Sequence, residues 1–482
     1  MRNLFKWTVK LDGGEVVAPN ERLPWSQTLL MGLQHVFAMF GATVLAPLLM
    51  GFDPNVTVLM SGFGTLVFFV ITKGKVPSYL GSSFAFIGVT AAVTGYTGSG
   101  PNTHIDLALG GIIVCGILYI LAGLAVQAIG YQWIEKLTPP IVTGTVVAVI
   151  GLNLAAIPIK TMAANHFDIW MQVITFTCVA LIAVFTKGMI KRMLLLTSLI
   201  ASTAIYYVLT NLFGLSTPID FSLIQQAAWF GLPTFTAPAF SSNACLLIAP
   251  VVIILIAENV GHLKAIGSIS NSPMEKHFGR AFIGDGIATV ISAGVGGTGV
   301  TTYAQNIGVM AATKVYSTAL FVVAGLMAIL LGLSPKFGAL VQTIPTSVMG
   351  GMTIVVFGLI AVSGAKIWVE NNVDFSDNRN LMIASIPLIL GTGQFTLHFG
   401  GFELDGLGSA AFAALLLNII LNYKKKADVT TPTRPQQFRN PLKASQRLNN
   451  KAKVTSGLMH FDRPLFNDWK VGVRRWLSSG NN

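Results

Sequence analysis

Residues Gly294–Lys314 read GVGGTGVTTYAQNIGVMAATK, and this stretch lies deep inside an apolar region of the chain. Gly294, Gly296, Gly297 and Gly299 crowd its start, followed by Val300, Thr301, Thr302 and Tyr303, then the amide pair Gln305 and Asn306. A helix-like run, Ile307–Ala312, comes next. In lipid, backbone outside a helix survives only where it is buried in protein or lines a cavity. A glycine-broken segment opening a short helix therefore predicts a binding site at mid-membrane depth. Discontinuous helices of this kind turn their N-terminal N–H groups toward a ligand. The competing reading is close helix packing through small residues; packing alone does not call for Gln305 and Asn306.

The surrounding composition sets the class. The chain has 482 residues, 53% hydrophobic and 10% charged, against about 25% charged for a soluble domain. Repeated apolar stretches of roughly 20 residues predict an all-α polytopic membrane protein. Fourteen spans are expected, beginning near residue 28 and ending near 422. The net charge of +12 would suit nucleic acid, but its distribution does not. With the N-terminus in the cytoplasm, twelve Lys and Arg fall in inside loops and two, Lys160 and Lys336, fall outside, as the positive-inside rule requires. The arm 1–27 holds four basic and three acidic residues and no apolar core, so no cleavable signal is read there. Cys115, Cys178 and Cys245 lie apart in apolar runs without metal-ligand spacing. No metal or other cofactor is expected.

The organisation expected is a cytoplasmic arm (1–27), a first seven-span repeat (28–213), an external linker (214–245), a second seven-span repeat (246–422) and a basic cytoplasmic tail (423–482). Two echoes support the repeats. Ile87-Gly88-Val89-Thr90-Ala91-Ala92 lines up with Ile307-Gly308-Val309-Met310-Ala311-Ala312, and Gly144, Gly151 and Leu152 with Gly351, Gly358 and Leu359. Val76–Gly88, VPSYLGSSFAFIG, has the same design as the opening stretch: a breaker, a short extended piece and a helix. An odd number of spans per repeat makes the halves inverted, so the two extended pieces, in spans 3 and 10, would meet near the midplane. The tail carries thirteen basic residues; Asp462–Leu477 has apolar residues at helical spacing, suited to an anionic lipid surface or a partner.

Two acidic residues fall within spans, Glu258 and Asp285. Ionisable groups at that depth are costly and are functional candidates by default. His262, four residues after Glu258, shares its helix face. A carboxylic acid beside an imidazole can change protonation with substrate or access, as a proton-coupled carrier needs; a structural pair joining two helices is the alternative. Asp285 is read either as a coupling group or as a tie to neighbouring spans or Lys264. Gln34 and His35 give the first span a polar edge.

These motifs resemble the nucleobase–ascorbate transporter family, which includes the bacterial uracil and xanthine permeases. The resemblance rests on Gln34-His35, Ser82-Ser83-Phe84-Ala85-Phe86, Glu258 with His262, Asp285, and Gln305-Asn306-x-Gly308-x4-Thr313-Lys314, and covers roughly 16–423. APNERLPWSQ, ENVGHLKAIG and TTYAQNIGVMAATKVYST are similar to the pyrimidine permeases of uracil-degradation pathways within it. The resemblance implies fourteen spans in two inverted repeats, with a core (spans 1–4 and 8–11) and a gate (5–7 and 12–14). It implies proton-coupled uptake of uracil or a related pyrimidine across the inner (plasma) membrane by alternating access. Carried over by position, the base would rest near Ala42, Phe84, Glu258, Tyr303, Ala304 and Gln305. Glu258, His262 and Asp285 would handle protons, and Gln34, His35, Asn306, Gly308 and Thr313 would support the site.

One position departs from the pattern: family uracil permeases typically have Glu where this chain has Gln305, and purine-type members often have Gln. An amide offers both a donor and an acceptor to the edge of an oxidised base but does not titrate. A xanthine or urate permease is therefore an alternative, as is an anion transporter of the same fold. A membrane-embedded enzyme using Glu258 and His262 is a further rival, and no second acid or nucleophile accompanies them. The expected partners are a small nucleobase, protons and the bilayer, with a homodimer as one assembly to expect and no nucleic acid.

Overall fold

Long apolar runs without water to satisfy their backbone can only become helices or a closed barrel, and here they become helices. The computed structural model describes residues 5–11, 16–96, 100–160, 165–399 and 402–422. The basic tail, including the helix expected at Asp462–Leu477, lies outside them. In the first part of the chain the principal helices are α1 (Trp25–Met50), α2 (Pro54–Ile71), α3 (Phe86–Thr94) and α4 (Ile105–Ile129). They continue with α5 (Pro140–Asn153), α6 (His166–Phe185) and α7 (Leu194–Tyr207). After a largely irregular connection come α8 (Val251–Ser270), α9 (Phe278–Gly294), α10 (Ala304–Thr313) and α11 (Thr318–Gly332). The last are α12 (Pro335–Gln342), α13 (Thr346–Glu370), α14 (Asn378–Thr392) and α15 (Gly406–Asn422).

Eight helices among the described residues are long and apolar enough to cross a membrane, or nine if the pair α11–α12, bent by 80°, counts as one span. Fewer continuous helices pass than the fourteen spans expected. Helices α9, α14 and α15 have 17, 15 and 17 residues, and two expected spans are broken into strand and short helix.

Three two-stranded pairs accompany the helices: β1 (Thr8–Val9) with β2 (Glu21–Arg22), β3 (Leu80–Ser82) with β4 (Val300–Thr302), and β5 (Leu397–Phe399) with β6 (Phe402–Leu404). The pair β3–β4 is antiparallel, with Leu80 opposite Thr302, Gly81 opposite Thr301 and Ser82 opposite Val300. The glycine-broken stretch and its echo thus meet directly, although 218 residues of chain separate Ser82 from Val300. Both strands are wholly buried, so their polar backbone is satisfied by pairing rather than by water.

Around them the helices pack in close pairs. Helix α4 lies on α9, α2 on α11 and α5 on α13. Glycines make this approach possible: a Cβ at Gly123 would sit 2.7 Å from the Gly279 carbonyl, and one at Gly325 would sit 3.1 Å from that of Gly62. Such contacts matter because lipid offers no hydrophobic drive between helices and dispersion must hold them together. The N-terminal arm, read from sequence as polar, is docked. Val17 is fully buried and exchanges backbone bonds with the turn after α10: its N–H donates to Lys314 O at 3.1 Å, and Tyr316 N–H donates to Val17 O at 2.8 Å.

Candidate functional site

Each strand of the β3–β4 pair runs straight into a short helix, β3 into α3 and β4 into α10. A threonine on the preceding long helix holds each strand. Thr65 of α2 accepts the Leu80 N–H at 2.9 Å, and Thr289 of α9 accepts the Val300 N–H at 3.2 Å. The strands are tied further by the Ser83 N–H to Gly299 O (2.9 Å), the Tyr303 N–H to Tyr79 O (3.1 Å) and the Thr298 hydroxyl to Ser82 Oγ (2.7 Å). The start of α10 is thereby fixed against the entry to α3.

Helix α8 lies beside this junction. Glu258 is turned inward, where the Ser83 hydroxyl faces its carboxyl group, and its Oε2 is buried without a protein partner. One turn on, His262 Nδ1 meets the Thr302 hydroxyl at 2.9 Å. No ion pair joins Glu258 and His262 among the described residues; Glu258 faces the hydroxyl just after β3 and His262 one within β4. Tyr303 donates its hydroxyl to Ser82 O at 2.9 Å, with Thr43, the residue after fully buried Ala42, also beside it. Phe84 packs edge-on against Phe357 of α13, ring centroids 6.2 Å apart.

On α10 the expected residues divide. Ala304 and Gly308 are exposed, Gln305 is half-buried, and space is open around Gly308. Gln305 makes no hydrogen bond among the described residues, so its amide is available. Asn306 faces the opposite way and donates to His35 Nδ1 (3.0 Å) and His35 O (3.1 Å), tying α10 to α1. His35 also packs on Phe321, while the buried Gln34 Nε2 has no partner among the described residues. Thr313 caps its own turn, donating to Val309 O at 2.9 Å.

Asp285 ties its helix to neighbouring spans, one of the readings made from sequence, and does not meet Lys264, which pairs with Glu135 at 3.0 Å. Asp285 Oδ2 instead accepts from Asn259 Nδ2, which also donates to the Tyr119 hydroxyl at 2.7 Å. The physical reason is depth: Asp285 is fully buried, a turn or more from the polar ends where lysines and arginines remain. Ser83 and Thr302 lie in the two segments picked out from sequence, but Asn259, Tyr119 and the strand-holding Thr65 and Thr289 had no distinguishing sequence signal. Serine and threonine in any helix can satisfy themselves on a carbonyl four residues back.

At the junction from which α3 and α10 start, Glu258 faces Ser83, His262 meets Thr302 and Tyr303 holds Ser82, while the buried Glu258 Oε2 has no hydrogen-bond partner among the described residues. Buried polar atoms are ordinarily satisfied, so an unpartnered carboxyl oxygen at this depth stands out. No cluster of three metal-binding side chains occurs among the described residues.

Comparison with known proteins adds a separate line. A family model described as "Permease family", for xanthine and uracil permeases, matches residues 26–399. RutG of Escherichia coli, a pyrimidine permease by name, is 58% identical over 428 residues, covering 88% of this chain and 97% of the relative. A uracil permease of Paenibacillus larvae is 39% identical over 416 residues, covering 84% and 97%. Among solved structures, murine SLC26A9, titled an anion transporter in the inward-facing state, superposes with a TM-score of 0.60 at 12% identity, covering 83% of this chain and 68% of that one. The transmembrane domain of the cyanobacterial bicarbonate transporter BicA gives 0.52 at 14%, covering 82% and 96%. At such identities the structural likeness concerns the fold alone.

Proposed function

The chain belongs to the xanthine/uracil permease family, and from that premise we propose that it takes up uracil or a related pyrimidine together with protons, by alternating access. It is a multi-pass membrane transport protein and not an enzyme. The observation that carries the substrate reading is the pair of open polar groups, Glu258 Oε2 and the Gln305 amide, at the junction of two broken segments. Glu258 takes a ring N–H, Gln305 reads a neighbouring N–H and C=O, and Phe84 with the N-termini of α3 and α10 contacts the ring and its carbonyl oxygens. Glu258, His262 and Asp285 are the groups assigned to the proton.

We further propose fourteen spans in two inverted repeats, in the inner membrane with both termini cytoplasmic. The contacts support this because they recur in matched pairs: α2 on α11 answers α9 on α4, α6 on α13 answers α14 on α5, and α7 on α6 answers α15 on α14. Thr65 on Leu80 answers Thr289 on Val300 in the same way. In this topology the open space at Gly308 lies toward the cytoplasm, while on the other side a Cβ on Gly88 would be in ordinary contact with Asn153 Oδ1 (3.5 Å) and Asp405 Oδ2 (3.6 Å).

The test is uptake of labelled uracil into proteoliposomes under an imposed pH gradient, with thymine, xanthine and urate as competitors. Uracil carried unchanged by the wild type, with accumulation lost in Glu258→Gln, is expected. Normal proton-driven accumulation by that variant sinks the role of Glu258. Gln305 gives the purine reading its one specific support, and stronger competition by xanthine than by thymine would favour it.

A further inference from the structure

Helix α10 carries Gln305 and Gly308 and is only 10 residues long. Its faces are unequal. Asn306, Ile307, Val309 and Met310 are buried, whereas Ala304, Gly308, Ala311 and Ala312 are exposed. A helix this short is marginal without tertiary support, and this one packs along one side only. Its start is fixed by the β3–β4 pair and by the bonds from Asn306 to His35. Its far end is held by the N-terminal arm.

The arm meets the turn between α10 and α11 step by step. The Val17 N–H donates to Lys314 O at 3.1 Å and Val17 O accepts the Tyr316 N–H at 2.8 Å, so that Val17 and Val315 form a parallel bridge. Pro19 O accepts from Thr318 twice, from its N–H at 3.2 Å and from its hydroxyl at 2.8 Å. The Trp7 indole N–H donates to the same hydroxyl at 2.9 Å, and the Trp7 ring centroid lies 5.8 Å from that of Phe69 near the end of α2. Val17 and Leu23 are buried together with Val315 and Leu320. Lys314, which ends α10, has a φ of 58°. A left-handed residue with a side chain persists where its neighbours over-determine it, and here Val17 bonds its carbonyl.

We propose that the arm is a positioning element of the transport site: Val17, with Trp7 and Pro19 on the same turn, pins the end of α10 and so sets where Gln305 and Gly308 stand. A helix held only at its start tilts and frays from its other end, and a binding group displaced by about 1 Å no longer meets its ligand well. The inference rests on the reading of Gln305 as a contact of the base.

The test is uptake into proteoliposomes by full-length variants, measured against uracil concentration and per amount of reconstituted protein. Val17→Pro removes the N–H that Lys314 O accepts. It should raise the half-saturating uracil concentration about tenfold, the scale of one buried hydrogen bond, with the maximal rate kept within about threefold. A merely structural arm would lower the amount of folded carrier and leave half-saturation alone. Val16→Pro places the same ring one residue earlier, keeps the Val17 N–H and should stay within about twofold of wild type. Trp7→Phe removes only the N–H to Thr318, should raise half-saturation about threefold, and decides the matter if Val17→Pro does not insert. Unchanged half-saturation in Val17→Pro, or in Trp7→Phe where Val17→Pro does not insert, overturns the proposal, as does an equal rise in Val16→Pro. A readout without substrate separates the arm from the function itself. In a chain otherwise free of cysteine, a water-soluble maleimide should react with Gly308→Cys at least about threefold faster once Val17→Pro is added. An equal rate overturns the role of the arm; a faster rate in a carrier that takes up no uracil supports the arm and counts against the proposed substrate.

Discussion

Asn259 spends its amide N–H groups on Tyr119 and Asp285, one residue along from Glu258. That arrangement fixes the rotation of α8, and with it the direction of Glu258. Replacing Asn259 by Leu leaves an acid and a phenol at full burial without their donor. Hydrogen bonds inside membranes are worth about 0.6–1.7 kcal/mol each, so the loss expected is about 1–3 kcal/mol, read as a lower thermal midpoint in detergent. An unchanged midpoint would mean that the network carries no stability. Gln305, by contrast, makes no hydrogen bond among the described residues and is half-buried. Gln305→Glu is expected to leave the midpoint alone and change the uracil-to-xanthine preference by about tenfold or more, the scale on which buried polar groups discriminate. A preference that did not move would remove Gln305 from specificity. At this scale the sequence was legible where a residue type was out of place. Carboxyl groups at membrane depth are rare, so Glu258 and Asp285 stood out. The partner of Asp285 did not, because a buried Asn or Tyr looks the same in a sequence whether or not it meets an acid.

The strand pair is the element on which the site depends. Gly81 leaves room for the Tyr303 ring, which a Cβ at that position would strike, and Gly299 does the same for Phe86. Gly81→Val is expected to push Tyr303 off the Ser82 carbonyl and lower uptake more than tenfold in a protein that still inserts. Uptake within twofold of wild type would show that the junction tolerates rearrangement. Thr65→Val and Thr289→Val remove matched supports, and their effects on uptake are expected to agree within about threefold. A large effect of one and none of the other would argue against matched halves. The glycines and the polar residues after them marked both segments as broken helices, since helix formers were missing where lipid demands a helix. That the two segments pair with each other, and in which register, followed only from the packing of α2, α9 and α8 around them.

For the whole molecule, space is open around Gly308 while a Cβ at Gly88 would meet Asn153 and Asp405 at ordinary contact distance, a difference that tests the proposed opening. In a background with Cys115, Cys178 and Cys245 replaced, Gly308→Cys should react with a water-soluble maleimide applied from the side of the N-terminal arm, and uracil should slow the reaction. Gly88→Cys should stay unreactive from the opposite side. The reverse pattern would invert the proposed opening. The docking of the arm belongs to this scale as well: beside the backbone bonds of Val17, Val17 and Leu23 are buried with Val315 and Leu320, and Trp7 donates to Thr318, partners that a polar stretch does not announce. By itself the sequence determined that the chain is a helical membrane protein with two interrupted segments and two buried acids. Water-free surroundings leave the backbone few options, and they make every charge conspicuous. Only the tertiary structure decided that the interruptions, expected to meet, do so as an antiparallel pair in one register, that His262 belongs to Thr302 rather than to Glu258, and that Asp285 rests on Asn259 and its Tyr119 partner. Those choices depend on which faces of distant helices come together, and side-chain identity along one helix does not encode the rotation of its neighbour.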